Sequence, residues 1–159
     1  MSPHVVLALL FNAILVAVCG FAIVRGGRPE RRGAAINLVA ATITTVLRLS
    51  DARYFAPAEK VVMAIDLAVA AGFFWLAIST IRFWPVWAAG FALADLFMSL
   101  FGRLLPNIPL FAFHTGLGIY AYLALGALAL GTLRLPRDAE PYLRNGSRRS
   151  WLQHLKETS

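Results

Sequence analysis

Residues 57–81 read PAEKVVMAIDLAVAAGFFWLAISTI, and beyond Lys60 this run is apolar apart from Asp66 and two residues near its end. Its length matches the roughly 17–25 residues with which a helix crosses about 30 Å of hydrocarbon. The apolarity is continuous rather than alternating. This indicates a helix, because backbone polar groups in lipid must be hydrogen-bonded within their own segment. The stretch therefore predicts a transmembrane helix.

Four further apolar stretches cover residues 3–24, 34–49, 84–101 and 109–133. Hydrophobic residues make up 59% of the chain and charged residues only 14%, which is too apolar a balance for a soluble domain of this size. The first stretch lacks a preceding basic segment and an A-x-A site, so we expect it to stay in the membrane. The sequence predicts an all-α fold, a five-span transmembrane helical bundle over residues 1–133, followed by a basic cytoplasmic tail over residues 134–159.

The distribution of Lys and Arg predicts the orientation of the bundle. With five spans, Arg48, Arg53, Lys60 and Arg103 fall on one side, and the other eleven of the fifteen basic residues fall on the opposite side. If the short second stretch were re-entrant instead, the split would be roughly 8 to 7 and the bias would vanish. Because basic residues mark the cytoplasmic side, we expect the N-terminus outside and the C-terminus inside a bacterial cytoplasmic (inner) membrane.

The end of the tail has the pattern of a short amphipathic surface helix. Residues 147–156 offer Ser147 or Ser150 as a cap and place Trp151, Leu152 and Leu155 on one face. Such a helix suits the inner leaflet of the lipid bilayer, with a cytoplasmic partner as the alternative. The net charge of +7 does not indicate nucleic acid, because the basic residues flank the membrane stretches.

The segment RFWPVWAAGF at residues 82–91, together with the turn GGRPE at residues 26–30, resembles an uncharacterised family of small multi-span bacterial membrane proteins. The resemblance extends across most of the chain and implies the same multi-span architecture. It implies no known activity, so the function must be sought in the polar residues of the membrane stretches.

Polar side chains recur in the half of the stretches that the charge pattern places outside. Asp95, Ser99 and Arg103 are spaced four residues apart and share one helix face. The second, third and fifth stretches each add an ionisable residue at a similar depth, by a rise of about 1.5 Å per residue. We expect a shared cluster, which also forms the candidate ligand-binding site: Arg48, Asp66, Asp95, Ser99, Arg103 and His114.

Three interpretations of this cluster stay open. Arg and Asp side chains would fix the helix register by pairing. Asp66 or Asp95 would take up a proton in a transport or ligand site, since carboxylates within membranes often mark ion pathways. His114, with Gly118 beside it, is the candidate cofactor ligand for a planar macrocycle such as haem, and with the two aspartates it is a candidate metal ligand. The sequence identifies no particular cofactor or metal.

Among function classes, binding is favoured over catalysis. The chain has no Gly-rich phosphate loop, H-E-x-x-H or C-x-x-C motif, so an enzyme is the less favoured class. We expect an accessory or scaffold subunit that associates with another membrane protein or a lipophilic ligand. A small oligomeric proton-coupled transporter or channel that uses the polar cluster is the alternative. Small residues four apart let helices approach closely, and we expect them mainly to contact other helices of the bundle. If such a face meets a partner or a homo-oligomer instead, Gly126, Ala127 and Gly131 are the first choice.

Overall fold

The computed structural model describes residues 3–50, 60–104 and 110–158. Over these ranges every regular element is an α-helix, and no strand is present. The predicted all-α class is confirmed. The helices are α1 (Pro3–Arg25), α2 (Arg28–Ser50), α3 (Lys60–Ser79), α4 (Trp84–Leu104), α5 (Leu110–Leu133), α6 (Pro141–Asn145) and α7 (Arg148–Thr158).

The five long helices form a closed bundle. Each helix packs against the next one in the chain, and α5 packs against α1 as well as α4. Phe73, Leu76 and Leu128 are fully buried between the helices. The short helix α6 contacts both α2 and α7. The C-terminal segment therefore lies at the end of the bundle where α2 begins.

Apolar side chains also cover the outside of the bundle. Over Lys60–Ser79 and Trp84–Phe101, α3 and α4 are long and apolar enough to cross a membrane, and only 17% and 33% of these segments are buried. The core helix of a soluble protein would be mostly buried. Large side chains such as Trp75 and Phe97 are 50% and 58% exposed. Two of the predicted spans thus fit a membrane by length and composition, and the crossing of all five helices stays a prediction.

The second helix begins earlier than the apolar pattern predicts. It starts at Arg28 rather than Ala34, so the connection from α1 shortens to Gly26 and Gly27. The reason is a side-chain cap: the backbone N–H of Gly27 donates a hydrogen bond to Oε2 of Glu30 at 2.9 Å. A glutamate at this third helical position satisfies an amide that the helix itself leaves free.

The C-terminal segment is fixed to the bundle by hydrogen bonds. The N–H of Ile81 donates to the carbonyl of Gly146 at 2.9 Å, and Nη2 of Arg82 donates to the carbonyl of Leu143 at 2.8 Å. Gly146 ends α6 with a φ of +60°, a left-handed conformation that glycine adopts without strain. Oγ of Ser147 then accepts from the N–H of Arg149 at 3.3 Å, so that of the two candidate serines Ser147, rather than Ser150, caps α7.

Candidate functional site

Part of the predicted polar cluster lies where α3 and α4 meet. Oγ of Ser99 donates a hydrogen bond to Oδ2 of Asp66 at 3.2 Å. Ser99 is 2% exposed, whereas Asp66 is half-buried. The hydrogen bond lowers the cost of this burial, because a polar group that loses contact with water without gaining a partner is destabilising. The hydrogen bond joins the first half of α3 to the last third of α4, the two helices that are long and apolar enough to cross a membrane.

Asp95 lies one turn before Ser99 on α4 and has a different environment. Its Oδ1 is buried and has no hydrogen-bond partner among the described residues. The carboxyl is near enough to Asp66 to interact with it electrostatically. Two carboxyl groups that share a half-buried position repel each other when both carry a charge. The pair is therefore chemically suited to hold a proton or a cationic group.

The other predicted members of the cluster cannot be placed beside this pair. The side chains of Arg48, Arg103 and His114 lie outside the described part of the structure. Their participation, and with it the proposed cofactor or metal ligation by His114, stays a prediction. Within the residues that are described, His, Cys, Asp and Glu side chains form no group of three or more that could hold a metal ion.

A second polar centre, which the sequence did not predict, lies at the other end of α4. Glu30 is fully buried. Its Oε1 accepts a hydrogen bond from Nε1 of Trp84 at 3.0 Å and lies 3.4 Å from Nε of Arg82 in an ion pair. Its Oε2 accepts from the N–H of Gly27. We call these four residues the Glu30 junction, because they connect the start of α2 with the start of α4.

The indole of Trp84 fits into a slot made by two glycines. A Cβ on Gly33 or Gly131 would collide with the ring, so only glycine leaves room for it. The ring of Phe73 packs edge-on against the indole, with 6.2 Å between the two ring centroids. The open side of Gly131 is therefore filled by Trp84 from within the bundle, and a partner face at Gly126 and Ala127 stays a prediction. The indole of Trp84 on α4 thus fills the space that Gly33 on α2 and Gly131 on α5 leave open.

An open cleft lies beside the Glu30 junction, between the turn that precedes α2 and the segment around α6. Its volume is about 710 Å³. Four arginines and one aspartate supply its charged groups. We call it the basic cleft, and its polar side chains are those of Arg28, Arg31, Arg137, Asp138, Arg144 and Asn145.

The sequence did contain a signal for the Glu30 junction. Glu30 is the only acidic residue in the basic segment from Arg25 to Gly33, and it lies three residues after Gly27. That spacing is typical of a glutamate that caps a helix start. Positive-inside topology, by contrast, depends on the arginines of this segment and assigns no role to Glu30.

The chain folds as a helical bundle with two membrane-length helices, a basic end to which the C-terminal segment is hydrogen-bonded, and a half-buried carboxyl pair where α3 and α4 meet. No protein-family model matches the chain, and neither a curated protein nor a solved structure matches it. The resemblance of residues 82–91 to a family of small membrane proteins thus stays a sequence-level prediction.

Proposed function

We propose that this chain is a multi-pass protein of a bacterial cytoplasmic membrane that acts by binding, as an accessory or scaffold subunit for another membrane protein or a lipophilic ligand. In this proposal the five long helices span the membrane, with the N-terminus outside and the basic end in the cytoplasm. The main support is the fixed C-terminal segment. Arg82 contacts both Glu30 of the bundle and the carbonyl of Leu143 in the tail, which ties the two together.

A fixed surface favours recognition because little conformational freedom is lost when a partner binds. The surface at this end is also strongly charged: Arg28, Arg31, Arg137 and Arg144 lie around one cleft. Charged surfaces orient an approaching partner and select against partners of the same charge. These two properties support binding at the basic end.

The test is native mass spectrometry of the untagged protein after gentle extraction from its own membrane. We expect a stoichiometric partner with the native chain, and its loss with Arg82→Gln, which removes the contacts of Arg82 with Glu30 and with the carbonyl of Leu143. Arg134→Gln is the matched control, because Arg134 is an exposed arginine just beyond α5. Helix content by circular dichroism must be equal in all three proteins. A native chain that carries no partner or lipophilic ligand would refute the scaffold proposal.

The proposed topology has its own test. Reporter enzymes that are active only in the cytoplasm or only outside it, fused after residue 159, should show the C-terminus inside. Fusions in the connection between α2 and α3 should report the outside. An external C-terminus would contradict the orientation, whatever the partner.

A proton-coupled transporter or channel is the second candidate, and the unpartnered Oδ1 of Asp95 favours it. A buried carboxyl oxygen without a donor is costly unless a proton or an ion compensates for it. The test is proton uptake into vesicles that contain the purified protein and a pH-sensitive dye. Asp95→Asn should abolish uptake, whereas the exposed Asp138→Asn should leave it unchanged. Uptake that persists in Asp95→Asn would refute transport through this carboxyl.

A further inference from the structure

The basic cleft is formed by parts of the chain that are far apart in sequence. Gly26 to Arg31 contribute one wall, and residues 137–145 contribute the other. Its volume of about 710 Å³ falls in the range of roughly 300–1,000 Å³ that is usual for small-molecule sites. The cleft exists only because the C-terminal segment is docked on the bundle.

The charges of the cleft are unbalanced. Four arginines face one aspartate, Asp138, and none of the four forms an ion pair with a carboxylate in the described ranges. The nearby Glu30 does not offset them, because Arg82, Trp84 and Gly27 already occupy its two oxygens. Like charges gathered in one cleft repel each other, and an anion bound among them would remove this repulsion.

Two of the arginines are held in place by the walls. Nη1 of Arg28 donates to Oδ1 of Asn145 at 3.1 Å, and Nη2 of Arg144 donates to the carbonyl of Arg137 at 3.2 Å. A guanidinium has five N–H donors, so each of these groups retains others for a ligand. Gly27 allows the two walls to meet, because a Cβ there would collide with the carbonyl oxygen of Arg144. The donors are therefore positioned before a ligand arrives.

We propose that the basic cleft binds a phosphate group. Guanidinium groups bind phosphate through paired, charge-assisted hydrogen bonds, and several of them together favour a group that carries more than one anionic oxygen. The cleft is larger than one phosphate, so the rest of the ligand is accommodated as well. The phosphate belongs either to a lipid headgroup or to a soluble phosphate compound, and both share this chemistry. Phosphate binding in the basic cleft requires no protein partner, because this chain supplies every residue that lines the cleft.

The test uses the full chain purified in detergent and three probes: phosphatidic acid, neutral phosphatidylcholine and inorganic pyrophosphate. Native mass spectrometry measures retained lipid, and calorimetry measures pyrophosphate binding. We expect phosphatidic acid to be retained in preference to phosphatidylcholine, or pyrophosphate to bind. Selective retention of phosphatidic acid that pyrophosphate does not displace identifies a lipid headgroup. Binding of pyrophosphate alone, or displacement of the lipid by it, identifies a soluble phosphate.

The variant that tests the site is Arg31→Gln with Arg137→Gln. Both residues are exposed, and neither side chain forms a hydrogen bond or ion pair within the described part of the chain, so folding should be retained. We expect binding to weaken by about tenfold or more, because two charge-assisted contacts are removed. Arg148→Gln with Arg149→Gln makes the same change of charge on α7, outside the cleft, and should weaken binding less than about twofold.

Three results would overturn the proposal. If neither phosphatidic acid nor pyrophosphate binds, the basic cleft is not a phosphate site. Equal weakening by the two double variants would mean that general positive charge, rather than the cleft, attracts the anion. Unchanged binding in the Arg31 and Arg137 variant would place the anion elsewhere.

Discussion

Replacement of Glu30 by glutamine tests whether the junction holds the basic end together. Glutamine keeps the volume of the side chain, so no cavity is created. It removes the negative charge that pairs with Arg82 and puts an NH₂ donor in place of one accepting oxygen. Either Trp84 Nε1 or the N–H of Gly27 must then face another donor. The variant therefore isolates the electrostatic part of the junction.

The expected loss of stability follows from the contacts. A buried donor left without an acceptor costs about 1–3 kcal/mol, and loss of one partner of a buried ion pair costs about 3–5 kcal/mol. The two effects overlap, since they concern the same carboxylate, and Arg82 is 16% exposed, so solvent compensates for part of the lost pairing. We expect Glu30→Gln to lower the free energy of unfolding by about 3 kcal/mol.

The assay is equilibrium unfolding in mixed micelles, with helix content followed by circular dichroism. Glu140→Gln is the matched control, because Glu140 precedes α6, is exposed and makes no side-chain cap. A surface change of this kind should stay within about 0.5 kcal/mol. If the two variants lose equal stability, the buried contacts of Glu30 do not stabilise the fold and the junction argument is wrong.

Two further pairs of variants test packing and the carboxyl pair in the same unfolding assay. Gly131→Ala should cost about 1–3 kcal/mol, because its Cβ meets the indole of Trp84 near the backbone, where the ring cannot move away. Gly126→Ala on the same helix meets nothing within 4 Å and should be neutral or stabilising; equal losses would contradict the slot. Ser99→Ala should cost about 1 kcal/mol, since it removes a hydrogen bond, whereas Ser79→Ala removes a hydroxyl with no partner among the described residues. A loss in Ser79→Ala as large as that in Ser99→Ala would argue against the hydrogen bond.

The helices themselves could be predicted from the sequence, because long apolar runs leave the backbone no other way to satisfy its polar groups. The cap of α7 could be narrowed to Ser147 or Ser150, because a cap depends only on neighbours in the chain. The early start of α2 depends on equally local chemistry, the spacing of Gly27 and Glu30. The arginines around Glu30 conceal this signal, because a basic run between two apolar stretches is also typical of a loop that sets topology.

Contacts between helices could not be predicted in the same way. A sequence shows that Gly131 is small, but the space beside it can be filled from outside or from within the bundle. Here Trp84 fills it from within, and nothing in the spacing of residues on α5 indicates which helix supplies the large side chain. Likewise, the rotation of α4 decides whether Ser99 meets Asp66. Both contacts depend on how all the helices pack together, and the sequence of a single helix does not determine them.

The two polar centres on α4 differ in a way that separates the two candidate functions. At its start, Trp84 contacts a carboxylate whose two oxygens both accept hydrogen bonds, and satisfied buried networks of this kind hold a structure rigid. Eleven residues further on, about 16 Å along the helix, Asp95 has an oxygen with no described partner. Movement that serves a proton or a ligand would therefore occur around Asp95 and pivot about the fixed end. On this argument Glu30→Gln changes stability and leaves the pH dependence of proton uptake unaltered, whereas Asp95→Asn changes uptake and not partner binding. A Glu30→Gln protein that stays folded but shifts the pH dependence of uptake would show that the two centres are coupled, and α4 would then move as a whole.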